Sequence, residues 1–162
     1  MERNFTEWPL GSTDQGATLS IYRANQTRSN AVIMCPGGGF NLVAMDHEGY
    51  AFADWFHQQG ITYAVLKYRM PHGHVEIIRE DIREAIRLIR ARSAEWGIQQ
   101  VGVMGASIGG YGCNFVPWNG PRRFPDSALS GDQHDGPTDT FALAMQNVRR
   151  EYSRSRKKGA LA

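Results

Sequence analysis

Cysteine is scarce: the 162-residue chain has two, Cys35 and Cys113. That is too few for a disulfide framework, and their spacing matches no metal-ligand pattern. They read as buried small thiols, and neither a metal nor a cofactor is expected. Long apolar runs are missing as well. None approaches the roughly 18 residues that span a bilayer, so no membrane partner is expected. The segment from Met1 to Trp8 has no apolar signal core, and a cytoplasmic location is the expectation. Net charge is small, +2, but it is unevenly placed. Residues 147–162 carry Arg149, Arg150, Arg154, Arg156, Lys157 and Lys158 against Glu151, a local +5 that leaves −3 for the remainder. Basic ends can bind nucleic acid. Here only Tyr152 interleaves the basic residues, and no nucleic-acid motif accompanies them, so no nucleic-acid partner is expected.

What is present is an alternation of strand and helix patterns. Residues 18–23 alternate apolar and polar and predict a strand. Ala31 to Cys35 form a continuous apolar run, as in a strand covered on both faces, and Pro36-Gly-Gly-Gly39 ends it. Residues 47–59 have helical spacing, with Tyr50, Phe52, Ala53, Trp55 and Phe56 on one side and Gly60 as a C-terminal cap. Ile61 to Leu66 predict a second buried strand. Glu76 to Trp96 predict one long helix whose apolar stripe is Ile78, Ile82, Ala85, Ile86 and Ile89. The opposite face, Arg79, Glu80, Arg83, Glu84, Arg87 and Arg90, reads as solvated. Val101 to Met104 predict the next strand. This order argues for an α/β fold with a parallel sheet and flanking helices.

After Tyr111 the pattern lapses. Residues 112–140 contain four glycines, four prolines and four aspartates, with no sustained apolar period. Thr140 to Arg150 offer one helical segment. The expected division is therefore 1–111 as the core-forming part and 112–162 as an irregular basic tail.

Gly105-Ala-Ser-Ile-Gly109 follows a predicted strand directly, which is the context of a nucleophile elbow. The strand turns sharply into a helix and holds Ser107 in a strained conformation with its hydroxyl exposed. Residues two before and two after the serine must be small, and Gly105 and Gly109 meet that demand. The Ile108 N–H, at the helix start, faces a developing oxyanion. The rival reading is a phosphate-binding turn, because glycines also cradle anions. No lysine follows, however, and the dinucleotide glycine spacing is absent. Upstream, the three glycines after Cys35-Pro36 cost backbone entropy, which suggests close backbone approach rather than a plain flexible turn. Such loops donate N–H groups to a tetrahedral oxyanion, each worth roughly 3 kcal/mol in the transition state.

Cys-Pro-Gly-Gly-Gly-Phe40, Asp46-His-Glu-Gly49, Leu66-Lys-Tyr-Arg69, Ala94-Glu-Trp-Gly97 and Gly105-Ala-Ser-Ile-Gly-Gly110 follow one another as in acetyl-esterase and acetylxylan-esterase-like α/β-hydrolases. The sequence resembles that family from about Thr18 to Tyr111. The resemblance implies a partial α/β-hydrolase fold, its N-terminal half, with the C-terminal strands missing. It implies hydrolysis of small-molecule or carbohydrate esters, acetylated xylan among them. It makes Ser107 the nucleophile and Gly38, Gly39 and Ile108 the oxyanion donors. Ile108 departs from the alanine usual in these families, and its bulk is expected to crowd the acyl pocket. His47 and Glu48 lie in a shared motif, where a helix-start hydrogen bond is expected rather than catalysis. Two other readings stay open: a peptidase or arylformamidase on the same fold, and a non-catalytic fragment that binds anions through its glycine loops.

The acid and base of the triad should follow the serine in this fold. His57, His72 and His74 precede it. Only Asp126, Asp132, Asp135, Asp139, Glu151 and His134 come later, and His134 is too near Ser107 for the late loop that brings the base. This chain is therefore expected to be inactive, with little residual catalysis, because the triad acid and base are missing. Two readings of the lapse stay open, a genuinely divergent or truncated protein with a disordered basic tail and an out-of-frame tail: read one base later, synonymous codons for residues 124–134 permit Ser-Arg-Ile-Leu-Leu-Tyr-Pro-Val-Ile-Ser, a buried strand where the fold needs one. The shift over residues 112–115 permits Ala-Ala-Thr-Leu, a better helix start. Sequencing the gene from the Gly105 codon onward decides this, since stops in the shifted frame would end the idea.

Overall fold

The two continuous apolar runs of the sequence lie at the centre of a five-stranded sheet. The structure, a computed structural model, describes residues 5–11 and 16–114. The elements are β1 (Thr6–Leu10), β2 (Ala17–Tyr22), β3 (Ser29–Cys35), α1 (Ala53–Gln58), β4 (Thr62–Lys67), α2 (Glu76–Ala91), α3 (Ser93–Trp96), β5 (Ile98–Gly105) and α4 (Ile108–Cys113). The strands lie in the order β1-β2-β4-β3-β5. β4, β3 and β5 are parallel, whereas β1 pairs antiparallel with β2 and β2 with β4.

The sheet is thus mixed rather than parallel throughout. Parallel neighbours need a crossover of about a dozen residues or more. The chain has such crossovers between β3 and β4 and between β4 and β5, and α1 and α2 lie within them. The link from β1 to β2 is only residues 11–16, which allows a hairpin alone. β1 itself was invisible to periodicity, because Thr6-Glu-Trp-Pro-Leu10 has one buried residue.

Alternation along β3 divides its buried run between two cores. Ala31, Ile33 and Cys35 join Ala64, Leu66 and the α2 stripe of Ile78, Ile82, Ala85 and Ile89. Val32 and Met34 join Phe52, Phe56, Tyr63 and Val65 on the other face. Phe56 stacks on Tyr63 with ring centroids 4.5 Å apart. Both faces are therefore covered, as the unbroken apolar run requires.

Two helices differ from expectation. The segment before α1 starts irregularly: Met45–Gly49 is a wide helical turn and Tyr50–Phe52 a tight one. The expected helix of 76–96 is broken at Arg92 into α2 and α3. There the Ser93 hydroxyl donates to the Arg90 carbonyl at 2.7 Å, a local bond that competes with the helical ladder. Gly97 then ends α3 with φ 68°, and a β-carbon there would overlap the Thr27 carbonyl. Arg92 also lies 4.3 Å over the Trp8 ring, which meets Trp96 edge to face and ties α3 to β1.

At the edge of the apolar stripe of α2, one buried residue is charged. Asp81 is buried and accepts from the Arg69 backbone N–H at 2.8 Å and from Arg69 Nε at 2.9 Å. Contacts of this kind fix the loop after β4 against α2. The 111/112 division falls inside α4, which continues to Cys113. The helical segment of residues 140–150, His134, the later acidic residues and the frame-shifted strand of 124–134 lie outside the described residues.

Candidate active site

β3 and β5 are neighbours, and Cys35 pairs with Gly105 at their C-terminal ends. The loops that leave these strands therefore emerge side by side, at the edge where open α/β sheets bind ligands. After β5 the chain turns through Ala106 and Ser107 into α4. Ser107 has φ 49° and ψ −121°, a conformation that non-glycine residues adopt only when their surroundings enforce it. The enforcing bonds are short. The Ala106 N–H donates to the Cys35 carbonyl at 3.1 Å, and the Gly109 N–H donates back to the Ala106 carbonyl at 2.9 Å. The Ser107 side chain is exposed.

Both glycines of the motif are required by contact with backbone. A β-carbon on Gly105 would meet the Gly109 carbonyl carbon and the Gly110 nitrogen at 2.5 Å. One on Gly109 would run into the Cys35 and Pro36 carbonyls. Ile108 begins α4, so its N–H has no helical partner. Its side chain is buried in the core that α2 covers. The crowding of an acyl pocket expected from its bulk is thus taken up by the core among the described residues.

The glycine loop lies directly against this elbow. A β-carbon on Gly37 would sit 3.0 Å from the Ser107 β-carbon and 3.0 Å from the Ala106 carbonyl oxygen. Gly38 has φ 146° and Gly39 φ 62°. At Gly38 a side chain would also collide with the Leu42 carbonyl, while at Gly39 the space is open. The loop folds back on itself: the Ala44 N–H donates to the Gly37 carbonyl at 2.9 Å, and the Asn41 and Leu42 N–H groups donate to that of Gly38 at 3.2 and 3.3 Å. Among the described residues, the Gly38 and Gly39 N–H groups donate to no backbone carbonyl. Phe40, Leu42 and Tyr111 are exposed apolar side chains on the same loop and helix.

Two side chains hold the base of the loop. The Glu48 Oε2 atom accepts from the Gly37 N–H at 2.7 Å. The Tyr68 hydroxyl donates to the Pro36 carbonyl at 2.7 Å. Burial pushes the Tyr68 hydroxyl well above the ordinary tyrosine range, helped by the nearby Cys35 and Glu48, so it remains a donor. Glu48 therefore bonds across to the glycine loop. Neither residue's role was legible in the sequence, since the bonds join positions 11 and 32 residues apart. Beneath the loop, the neighbouring Cys113 thiol and burial raise Cys35 well above the usual thiol range.

His57 is engaged elsewhere, 3.3 Å from the Asn25 amide. Among the described residues no histidine is hydrogen-bonded to Ser107.

No protein-family model matches the chain. It is 36% identical over 108 residues to an acetylxylan esterase of Xylanibacter ruminicola, a match that covers 65% of this chain and 22% of that protein. Thermogutta terrifontis esterase 2, phosphonylated by cyclosarin, superposes with a TM-score of 0.59 at 23% identity, over 67% of this chain and 45% of that one. The propionate-bound form of the same esterase superposes with a TM-score of 0.60 at 22% identity, over 80% and 52% of the two chains. The chain thus spans about half the length of the solved esterases and about a fifth of the curated relative. The chain therefore has the α/β-hydrolase fold of these solved esterases, over about half of their length, and its sequence is similar to part of an acetylxylan esterase.

Proposed function

We propose that Ser107 is the nucleophile of a serine carboxylic-ester hydrolase acting on small acyl esters, with acetylated carbohydrate as the first candidate. The observation that carries this reading is the strained, exposed Ser107 at the start of α4, set against a glycine loop at the end of the neighbouring parallel strand. In this reading the Ser107 oxygen attacks the ester carbonyl. The N–H groups of Gly38, Gly39 and Ile108 receive the negative charge that develops on the carbonyl oxygen. Gly37 takes no part, because its N–H is engaged by Glu48. The likeness to an acetylxylan esterase supports the acetyl group, and the likeness to an esterase with bound propionate supports a small acyl pocket.

The 162-residue chain is in this reading a slow enzyme. A serine without a general base keeps the weak nucleophilicity of an alcohol. Triad members act as a unit, so removal of one loses most of the rate. The test is hydrolysis of an activated acetate ester, together with incorporation of a fluorophosphonate probe, by the wild-type chain and by Ser107→Ala. Slow turnover and slow labelling, both lost in Ser107→Ala, are expected. Labelling that persists in Ser107→Ala would falsify the assignment of the nucleophile, and rapid Ser107-dependent turnover would overturn the claim that this chain is slow.

A further inference from the structure

The Pro36 carbonyl and the Gly37 N–H belong to one peptide group, and each end of that group is held by a different side chain. Tyr68, just after β4, donates to the oxygen at 2.7 Å; Glu48, ahead of α1, accepts from the nitrogen at 2.7 Å. In a trans peptide the C=O and N–H bonds point in opposite directions. Two partners on opposite sides therefore fix the rotation of this plane. Tyr68 is buried and Glu48 half-buried, and both Pro36 and Gly37 are buried. Water therefore has little access to substitute for either partner.

Orientation of this one plane matters because two more glycines come directly after it. Gly38 and Gly39 have φ angles of 146° and 62°, in a region where glycine has little steric preference of its own. A run of three glycines has no intrinsic direction, so its N–H vectors are set by the plane that leads into it and by the return bonds to Gly37 and Gly38. The first plane is also the one that touches the nucleophile, since Gly37 abuts Ser107 and the Ala106 carbonyl. We infer that Glu48 and Tyr68 are positioning residues: they clamp the Pro36–Gly37 peptide and so aim the Gly38 and Gly39 N–H groups at the oxyanion. The inference deepens the esterase reading and rests on it. It also explains why Gly37, despite its place beside Ser107, is not a donor: its N–H is consumed by the clamp. Neither side chain touches substrate in this account.

The experiment uses the full 162-residue chain with glycine and isoleucine labelled for amide NMR, and a fluorophosphonate probe for Ser107. In the labelling step the Ser107 oxygen bonds to phosphorus, fluoride leaves, and the hydroxyl proton passes to water. In Glu48→Ala and in Tyr68→Phe the Gly38 and Gly39 amide resonances are expected to move, while Gly105 and Gly109 of the elbow stay in place. The labelling rate is expected to fall by about tenfold in each, below the loss for a deleted oxyanion donor. Glu48→Gln keeps an acceptor at the same place and is expected to restore both readouts. The double variant is expected to label no more slowly than the slower single one, because both changes free the same peptide plane. Unmoved Gly38 and Gly39 resonances in Glu48→Ala overturn the clamp. So does joint loss of the elbow resonances in both single variants, which shows a general structural role. A wild-type chain that takes no probe at Ser107 overturns the esterase reading instead, and the glycine resonances still report on the clamp by themselves.

Discussion

Gly109 and Cys35 touch backbone to backbone: the first turn of α4 lies against the last carbonyls of β3, with no room for a side chain between them. The contact crosses from the elbow to the strand that launches the glycine loop. Because the obstacle is backbone, it cannot rotate away. Gly109→Ala is expected to destabilise the fold by about 1–3 kcal/mol or more, as overpacking does. Urea unfolding measures it, and an unchanged midpoint would show that α4 is free to shift.

Gly38 and Gly39 are adjacent and both have positive φ, yet their tolerance should differ. Gly38→Ala adds a clash with the Leu42 carbonyl to the backbone strain, whereas Gly39→Ala faces open space. Gly39→Ala is expected to cost only the left-handed penalty of about 1–2 kcal/mol. Gly38→Ala should cost more and stop probe labelling of Ser107. Equal behaviour of the two variants in melting and labelling would contradict the loop geometry.

Arg69 and Asp81 form an ion pair of unequal burial, with 41% of the Arg69 side chain exposed and 6% of that of Asp81. Removing the arginine side chain leaves a buried carboxylate with the backbone N–H of residue 69 but no countercharge; removing the carboxylate leaves an arginine that water can reach. Arg69→Met is therefore expected to cost about 1–3 kcal/mol, more than Asp81→Asn does. The double variant should be less destabilised than the sum of the two. A larger loss for Asp81→Asn in urea unfolding would reverse this ranking.

Ile108→Ala separates core from pocket. With the side chain in the core under α2, its truncation should cost about 2–5 kcal/mol. Preference among acetate, propionate and butyrate esters or probes of matching size should not change. A shift of preference toward longer acyl groups would place the side chain in the pocket instead.

Alkali should weaken the fold. Burial raises Tyr63 and Tyr68 well above the usual range, and the neighbouring Cys113 thiol, then burial, raises Cys35. The folded state thus holds these protons after the unfolded chain has lost them. Their contribution is fully present below the unfolded values, about 8.5 for a thiol and about 10 for a phenol, and is lost as pH rises through the folded ones. Urea midpoints should fall from about pH 9 upward, with a shallower fall in Tyr68→Phe. A flat profile would show that these protons are not held.

The sequence made the central strands and the elbow legible because each depends on local pattern. Ala31 to Cys35 and Ile61 to Leu66 are apolar runs that only covered strands explain, and Gly105-Ala-Ser-Ile-Gly109 has a turn chemistry of its own. What stayed hidden depends on residues far apart. Glu48 and Tyr68 meet the loop across distances in sequence that no periodicity reports. Asp81 is a charged residue beside the apolar stripe of α2, and its partner Arg69 lies twelve residues away in sequence. The antiparallel pairing of β2 with β1 likewise follows from the short link between them, not from its own alternation.

The strand order has a consequence for how the chain emerges during synthesis. β3 sits between β4 and β5, but β5 follows it by more than sixty residues in sequence. Until Gly105 has left the ribosome, Ala31 to Cys35 have a partner on one side only. For that interval a strand with no charged residue presents bare N–H and C=O groups, the feature that invites pairing with another chain. The same arrangement that brings the glycine loop beside Ser107 therefore leaves one edge of β3 open to pairing with another chain while the molecule is being made.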